Sequence, residues 1–245
     1  MGAFIREIFS SVQGEGPYIG CRQVFVRFEG CNLSCRYCDT GQSGEKKTCR
    51  VEVAPGKRAF IEIETPLSAQ EVIKTAAEHF LLSLHHSVSI TGGEPLLQAD
   101  FLKELLPGLK RLGTGIYLET NGTLPEKLRQ VIDLVDIISM DIKLPGTAGC
   151  PPLWDEHTQF LSIARAARVF VKIVVDDLSP APEFERAVDL VAGVGTGIML
   201  VIQPMTLDGR CALSPGRALE FQDMGLKRLK DVRIIPQAHV MMNQL

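Results

Sequence analysis

The chain has 245 residues, of which 45% are hydrophobic and 22% are charged, and its formal net charge is −3. This length and composition predict one large domain over residues 1–245 with a substantial buried core. The charge balance gives no footprint for nucleic acid or an anionic membrane, and no apolar run is long enough to span a bilayer. With no apolar segment typical of a signal peptide at the start, a cytoplasmic location is expected.

Short runs rich in valine and isoleucine predict strands that are buried on both faces, and amphipathic stretches between them predict helices. In chain order, the predicted strands span residues 23–30, 87–90, 115–119, 136–142, 169–175, 198–202 and 232–235. The predicted helices span residues 68–84, 99–113, 125–135, 154–167, 181–193 and 214–230.

Four residues refine the helix predictions. Ser68 and Glu71 have the spacing of a capping box at the start of the first helix. Pro107 is expected to kink or split the second helix, and Pro125 suits the first position of the third.

The alternation of strands and helices predicts right-handed crossovers and a parallel sheet. Six or seven such units without a linker favour one closed or partly closed barrel, with an open doubly wound sheet as the alternative. Residues 41–67 interrupt the alternation with a charged, glycine-bearing segment that contains the alternating run FIEIE. This segment is interpreted as an insertion with a small hairpin, which could serve as a lid.

Polar residues follow almost every predicted strand at its carboxyl end. In a parallel barrel these ends meet on one face, so the pattern predicts an active site there. The alternative interpretation is that each residue caps a helix or makes a turn. The residues concerned are Thr91–Glu94, Glu119–Gly122, Ser139, Asp141, Lys143, Lys172, Asp176, Asp177, Gln203 and Gln237–His239.

Seven cysteines are present, and an odd number without a secretion signal argues against a disulfide framework. Cys31, Cys35 and Cys38 form a C-x3-C-x2-C triplet. A structural zinc ion would need a fourth ligand, such as Asp39 or a distant histidine, and a redox pair of Cys35 and Cys38 would leave Cys31 without a role. Three thiolates on a four-iron cluster leave one iron open, and an open position is typical of a catalytic metal centre. The cluster is the favoured interpretation, with the other two as alternatives.

The triplet, followed by TGGEP one strand–helix unit later, resembles the radical S-adenosylmethionine (SAM) superfamily. The stretches EIFSSVQGEG, LETNGT, ISMDIK, QPM and IPQAH are more closely similar to the 7-carboxy-7-deazaguanine synthases of queuosine biosynthesis. This second resemblance covers nearly the whole chain except residues 41–67. It implies a partial (β6/α3) TIM-like barrel, usually dimeric, with the insertion after the cluster loop.

The resemblance also implies a reaction and its cofactors. The cofactors are a [4Fe-4S] cluster on Cys31, Cys35 and Cys38, SAM on the open iron, and Mg²⁺ at Thr40. Reductive cleavage of SAM gives a 5′-deoxyadenosyl radical, which removes a hydrogen from C6 of 6-carboxy-5,6,7,8-tetrahydropterin. Ring contraction with loss of ammonia gives 7-carboxy-7-deazaguanine. The electron is expected from a flavodoxin or a ferredoxin.

Site residues follow from the same resemblance. Glu94 would bind the SAM ammonium group, and Arg27 would pair with the substrate carboxylate, a role that suits its two-pronged donor geometry. The residues implied for SAM are Tyr37, Cys38, Asp39, Gly92, Gly93, Glu94, Asn121, Ser139, Met140, Asp141, Gln203, Pro204, Met205 and Thr206. Those implied for the substrate are Val12, Gln13, Gly14, Glu15, Arg27, Thr91, Glu119, His239 and the terminal Leu245.

The chain departs from the family pattern in two places, both of which bear on substrate recognition. Val240 follows His239 where the family commonly has lysine, and the insertion after the cysteine loop is long. A related enzyme for another bicyclic substrate, a glycyl-radical activating enzyme, and a non-catalytic zinc or electron-transfer module are therefore the alternatives.

Overall fold

The computed structural model of the chain describes residues 2–38 and 47–244. Its strands are β1 (Gly2–Ala3), β2 (Ile5–Val12), β3 (Arg22–Phe28), β4 (Thr48–Ala54), β5 (Ala59–Glu64), β6 (Leu67–Ser68), β7 (Ser87–Gly92), β8 (Gly115–Thr120), β9 (Ile137–Asp141), β10 (Arg168–Val175), β11 (Met199–Pro204), β12 (Thr206–Leu207), β13 (Arg210–Cys211) and β14 (Val232–Ile234). Its helices are α1 (Ala69–His79), α2 (Ala99–Arg111), α3 (Pro125–Arg129), α4 (Pro145–Ala148), α5 (Trp154–Ala164), α6 (Ala181–Val194), α7 (Pro215–Leu226) and α8 (Ala238–Met241).

Ten of these strands form one open sheet in the order β14-β11-β10-β9-β8-β7-β3-β2-β4-β5. The seven neighbouring strands β14, β11, β10, β9, β8, β7 and β3 run parallel, and β2 is antiparallel to β3. The strands at the two ends of the sheet, β14 and β5, do not pair with each other. The expected parallel sheet is confirmed, and the barrel is partial rather than closed. The six parallel strands that the resemblance implies correspond to β3 and β7–β11. The short β14, which was the seventh strand predicted from the sequence, lies at one edge.

The five long helices, α1, α2 and α5–α7, pack on one face of this sheet. The main core joins outward strand residues such as Val88, Ile138 and Val171 to helix residues such as Phe101 and Phe184. A doubly wound sheet would carry helices on both faces, so that alternative is wrong for the described residues. Five helices have eleven residues or more, against the three that the resemblance implies.

The inner face of the sheet is layered, because successive side chains of a strand point to opposite faces. An apolar layer near the amino ends contains Tyr117, Ile137, Phe170 and Val201. The next inward positions toward the carboxyl ends are polar: Ser89, Glu119, Ser139, Lys172 and Gln203. The strand sequences therefore place a floor of packed rings and aliphatic chains beneath a polar cavity.

The segment after β2 crosses this inner face and packs on the floor. The Tyr18 ring lies 5.7 Å from the Tyr117 ring and 6.2 Å from the Phe170 ring, measured between centroids. Gly16 has a φ of 64°, and a Cβ there would lie 2.6 Å from the Phe170 ring, so only glycine fits this position. Strand β2 was not predicted from the sequence, although its last four residues, FSSV, lead directly into the loop that packs on the floor.

The described part of the predicted insertion is an extension of the sheet. Strands β4 and β5 form the expected antiparallel hairpin, and β4 pairs in parallel with β2 through Glu7–Arg50 and Ile8–Val51. The hairpin is therefore an edge of the main sheet, and the interpretation of its strands as a lid is wrong.

The helix signals have mixed outcomes. The capping box of α1 is confirmed: Ser68 Oγ accepts from Glu71 N at 3.3 Å, and Ser68 N donates to Glu71 Oε2 at 2.7 Å. Pro125 opens α3 as predicted. Pro107 lies inside α2 without splitting it, although it removes one backbone donor from the helix. Within the described residues, none of the helices has the length and apolarity needed to cross a bilayer.

Candidate active site

A cavity of about 660 Å³ opens at the carboxyl ends of the parallel strands, where the polar pattern predicts the site. Most of the predicted site residues line it, from seven strands (β2, β3, β7, β8, β9, β11 and β12), the loops that follow them and α8. They are Val12, Gln13, Gly14, Glu15, Arg27, Cys31, Cys35, Tyr37, Cys38, Thr91, Gly92, Gly93, Glu119, Asn121, Ser139, Asp141, Gln203, Met205, Thr206 and His239.

The cysteine loop is held against the loop after β7 by close backbone contact. Glu94 N donates to Gly30 O at 2.9 Å, and Gly93 N donates to Phe28 O at 3.2 Å. A Cβ on Gly93 would lie 1.9 Å from Gly30 O, and one on Gly92, whose φ is 127°, would lie 2.2 Å from Phe28 O. The two glycines were implied for SAM; here the missing Cβ atoms let two backbone segments approach each other, which fixes the cysteine loop.

On its other side, the same loop rests on α4. Arg36 N donates to Ala148 O at 2.9 Å, and the Arg36 guanidinium donates to the carbonyl of Gly146. A Cβ on Gly149, whose φ is 72°, would lie 2.7 Å from Arg36 Nε. The three thiols are therefore presented by a loop that is fixed from two directions.

The thiols of Cys31, Cys35 and Cys38 all face the cavity. Burial raises the pKa of the Cys35 thiol to about 11. In residues 2–38 and 47–244, no three cysteine, histidine, aspartate or glutamate side chains converge closely enough to hold one metal ion. An iron–sulfur cluster does not need such convergence, because each thiolate binds a different iron. Three thiols on one loop therefore suit the corners of such a cluster.

Asn121 holds its amide in one orientation beside Cys31. Its Oδ1 accepts from Thr123 N at 3.1 Å and from Thr123 Oγ1 at 2.6 Å, so its Nδ2 must point the other way. That nitrogen donates to Asn32 Oδ1 at 2.9 Å and to Cys31 Sγ at 3.8 Å. These bonds use the donors and acceptors of the amide, so the structure places Asn121 as a neighbour of the thiol rather than as a free group for SAM.

Glu94 lies behind the cavity wall and is not among the lining residues. It is 1% exposed, and its two oxygens accept from Leu96 N at 3.1 Å, Asn121 N at 2.8 Å and Thr120 Oγ1 at 2.9 and 3.0 Å. Burial raises the pKa of this carboxyl to about 7. These hydrogen bonds fix the loops after β7 and β8 to each other. Glu94 was expected to bind the SAM ammonium group, but its side chain does not face the cavity.

Besides Glu29 Oε1, three buried polar atoms of lining residues have no hydrogen-bond partner among the described residues. They are the Tyr37 hydroxyl, Asp141 Oδ1 and Gln203 Oε1. Buried polar groups are rarely left unpaired, so these atoms point to a polar ligand. Tyr37, Asp141 and Gln203 are among the residues predicted for SAM, whereas Glu29 was given no role from the sequence.

A chain of buried charges crosses the cavity. Lys172 pairs with Glu15 and lies 3.5 Å from Asp141, which in turn lies 2.8 Å from Lys143. Burial by itself would raise the pKa of the Glu15 carboxyl, but the Lys172 ammonium outweighs it and lowers the value to about 2. Burial would lower the pKa of Lys172, but Glu15 and Asp141 raise it above its usual range. Glu15 is therefore held ionised.

Lys143 and Lys172 both line the cavity but were given no role from the sequence. The Lys143 ammonium lies 5.1 Å from the centre of the Tyr37 ring, within reach of a cation–π contact. The available signal was a lysine two residues after Asp141 and another inside the otherwise apolar strand β10, because a buried lysine needs a partner of opposite charge. Gln237 was also missed; its Nε2 donates to Glu15 Oε1 at 2.8 Å.

Gln13, Thr91 and Glu119, which were all predicted for the substrate, form one hydrogen-bonded group. Gln13 Nε2 donates to Glu119 Oε1 at 2.9 Å, and Thr91 Oγ1 donates to Glu119 Oε2 at 2.8 Å. Arg27 lies near this group at the cavity wall, where its Nε donates to Glu7 Oε1 at 2.8 Å. That pairing uses one edge of the guanidinium.

Some predicted residues lie elsewhere. Met140 is fully buried in the core between the sheet and the helices, because it alternates with the inward Ser139 and Asp141. Pro204 is not among the lining residues, and Asp176 and Asp177 instead accept from Leu178 N and Ser214 N in turns. Asp39, Thr40 and Leu245 lie outside the described residues.

Comparison with known proteins places the chain among enzymes. Residues 25–146 match the radical SAM superfamily. The chain is 48% identical to the 7-carboxy-7-deazaguanine synthase of Geobacter sulfurreducens, over 100% of this chain and 98% of that protein. It is 36% identical to the enzyme of the same name from Methanothermobacter thermautotrophicus, over 98% and 96% of the two chains.

Two solved structures share the fold. The crystal structure of QueE from Escherichia coli has a TM-score of 0.63 and 20% identity, and the match covers 98% of this chain and 95% of that one. A structure of TYW1 with a lysine–pyruvate adduct has a TM-score of 0.58 and 13% identity, over 84% and 74% of the two chains. At these identities the likeness concerns the fold alone.

The buried His157 behind Asn121 predicts an acid-sensitive stability. Its Nε2 donates to Asn121 O at 3.1 Å, its Nδ1 has no partner in the described part of the chain, and burial lowers the pKa of the ring to about 4. Unfolded histidine takes up its proton near pH 6.5, so the contribution of His157 is present above pH 6.5 and is lost as the pH falls toward 4. At about 1.4 kcal/mol per pKa unit, the loss is about 3 kcal/mol.

Urea unfolding at pH values between 4.5 and 7 measures this contribution. The variant His157→Gln should show a flatter dependence of unfolding free energy on pH than the wild type. Equal slopes for the two proteins would show that His157 is protonated in the folded state.

Proposed function

The chain belongs to the 7-carboxy-7-deazaguanine synthase family of the radical SAM superfamily, and on that basis we propose that it converts 6-carboxy-5,6,7,8-tetrahydropterin to 7-carboxy-7-deazaguanine with loss of ammonia. One observation carries the proposal. The three thiols face the same cavity as Arg27 and the hydrogen-bonded group of Gln13, Thr91 and Glu119. A radical formed at a cluster on the thiols would therefore arise within reach of a ligand held by Arg27 and the hydrogen-bonded group.

In this proposal Cys31, Cys35 and Cys38 hold a [4Fe-4S] cluster, and SAM binds beside it. When bound there, SAM supplies a 5′-deoxyadenosyl radical after one-electron reduction. The residues that would hold SAM are Tyr37, Ser139, Asp141, Gln203, Met205 and Thr206, together with the backbone at Gly92 and Gly93. The unpaired atoms of Tyr37, Asp141 and Gln203 support this assignment, because a polar ligand would satisfy them.

The pterin would lie across the charged side of the cavity. Glu15 and Glu119 present carboxylate oxygens, which accept hydrogen bonds from ring and exocyclic N–H groups. The low pKa of Glu15 keeps it an acceptor at neutral pH. Arg27 keeps one edge of its guanidinium for the substrate carboxylate, and such pairs favour two parallel hydrogen bonds. His239 and the backbone at Val12 and Gly14 complete the contacts.

Three further assignments rest on family membership alone. Mg²⁺ would bind at Thr40 with oxygens of the substrate, since hydroxyl and carboxylate oxygens suit this hard cation. A flavodoxin or ferredoxin would deliver the electron, and the enzyme would act as a homodimer. The need for a low-potential reductant and for free thiols fits the cytosol.

The test is an anaerobic assay of the reconstituted protein with SAM, Mg²⁺, reductant and carboxytetrahydropterin. We expect a product of the mass of 7-carboxy-7-deazaguanine, and a Cys35→Ala variant should bind less iron and form none. Deoxyadenosine without this product would indicate another substrate or a partner-protein radical. Zinc on the three thiols and no deoxyadenosine would contradict the proposal.

Replacing Arg27 separates substrate binding from SAM chemistry. The variant Arg27→Ala loses a charge-assisted contact, so kcat/KM for the pterin should fall about 10- to 100-fold. Pterin-independent SAM cleavage should persist. Arg50→Ala is a matched control, because Arg50 also faces Glu7, at 3.7 Å, but does not line the cavity. Normal turnover by Arg27→Ala would remove the carboxylate assignment.

Asn121 should tune the cluster through its bond to the Cys31 sulfur. Hydrogen bonds to the ligand sulfurs stabilise the reduced, more negative cluster, so removing one lowers the reduction potential. We expect a lower midpoint potential for Asn121→Leu in an anaerobic titration followed by electron paramagnetic resonance. Thr123→Val, which leaves the donor to sulfur in place, should have the smaller effect. Equal potentials in the wild type and Asn121→Leu would contradict this role.

A further inference from the structure

The last part of the described chain, residues 236–244, forms one wall of the cavity. We call this segment the tail. Gln237 and His239 line the cavity from it. Ala238 N donates to Gly14 O at 2.8 Å, and a Cβ on Gly14 would lie 2.2 Å from His239 Nδ1. The tail therefore sits directly on the loop that carries the proposed substrate residues.

The tail has little packing of its own. Helix α8 has only four residues, and a helix this short is not stable in isolation. Its apolar side chains face outward: Met241 is 77% exposed and Met242 is 45% exposed. The position of His239 must therefore depend on contacts at both ends of the tail.

The far end of the tail is held by the β4–β5 hairpin. Arg58 Nη2 donates to Asn243 O at 2.8 Å and to Asn243 Oδ1 at 3.1 Å. Gln244 turns back toward the start of α8, with its N donating to His239 O at 2.9 Å and its Oε1 accepting from Ser11 Oγ at 3.4 Å. The hairpin thus holds the tail close to His239, which faces the cavity.

Arg58 is itself positioned from the core. It lies in the hairpin turn with a φ of 54°, and its N donates to Glu52 Oε1 at 3.2 Å. Glu52 is fully buried, and its Oε2 accepts from Ser10 N in β2 at 3.2 Å. A buried carboxylate with two backbone donors fixes the turn relative to β2, so the guanidinium has a defined place from which to hold the tail.

We propose that Arg58 is a positioning residue for substrate affinity, which keeps His239 and Gln237 at the cavity by holding Asn243 against the hairpin. The proposal rests on the proposed function for the identity of the substrate. The chain departs from its family pattern in the insertion and in the tail. In this proposal the two act together, because they contact each other at Arg58 and Asn243. SAM binding does not depend on it, since its proposed residues come from strand ends and the cysteine loop.

The main test compares Arg58→Ala with the wild type in steady-state kinetics. If the tail is in place only part of the time, the apparent affinity falls by that fraction, and we expect KM for the pterin to rise about five- to tenfold with little change in kcat. KM for SAM and the thermal midpoint should not change. Lys57→Ala, at the neighbouring position of the same exposed turn, is the control of matched charge, and Arg58→Lys should restore part of the affinity. An unchanged KM for the pterin would overturn the proposal.

A double-mutant cycle tests the route. In a chain that ends at Met242, Arg58 has lost its partner, so Arg58→Ala should add nothing to the KM of the shortened enzyme. A further increase of the same size as in the full chain would show that Arg58 acts by another route and would overturn the proposal.

Hydrogen exchange of the tail amides is independent of turnover. Ala238 N and Gln244 N are hydrogen-bonded in the tail, so peptides covering residues 236–244 should exchange faster in Arg58→Ala than in the wild type and Lys57→Ala. If the wild type forms no product from the pterin, the proposed function fails, and exchange alone decides whether Arg58 holds the tail. Equal exchange in all three proteins would overturn the proposal.

Discussion

The ion pair between Glu15 and Lys172 spans the interior of a sheet that does not close. Glu15 follows β2 and Lys172 lies in β10, and four strands separate β2 from β10 in the sheet order. Backbone pairing therefore cannot join these two parts, and a side-chain contact across the inner face does so instead. Breaking such a buried pair by removing one partner is costly, because the remaining charge is left without compensation. The pair explains how a partial barrel can keep a defined cavity, and Gln203 and Gln237 extend it to β11 and the tail.

The cavity has two chemical halves because of where the strands end. The loops after β3, β7 and β8 bring the thiols, the glycine pair and Asn121 together through backbone contacts that leave no room for a Cβ. The opposite half, from the β2 loop to β10 and the tail, contains carboxylates, amides and lysines that are joined by hydrogen bonds and ion pairs. A family that forms a radical at one place and uses it at another needs this separation within a short distance.

Sequence patterns were sufficient for the parts that depend on local chemistry. Val- and Ile-rich runs located the seven parallel strands, and polar residues at their ends located the cavity. Patterns failed where tertiary contacts decide. The run IREIFSSV gave no strand prediction, although it forms β2, and Pro107 did not split α2 because packing of its apolar face outweighs one lost hydrogen bond. Glu94 and Met140 were placed at the cofactor by resemblance. Met140 instead points into the main core because of strand alternation, and Glu94 is held behind the cavity wall by hydrogen bonds from Leu96, Thr120 and Asn121. Lys143 and Lys172 were seen as polar residues, but their partners could be known only from the fold.

The floor made by Tyr18, Tyr117 and Phe170 sets the depth of the cavity. These rings fill the inner face near the amino ends of the strands, so a bound molecule extends down only to the polar residues that lie above them. Aromatic side chains remote from the thiols thereby limit the size of the molecules that the site can hold.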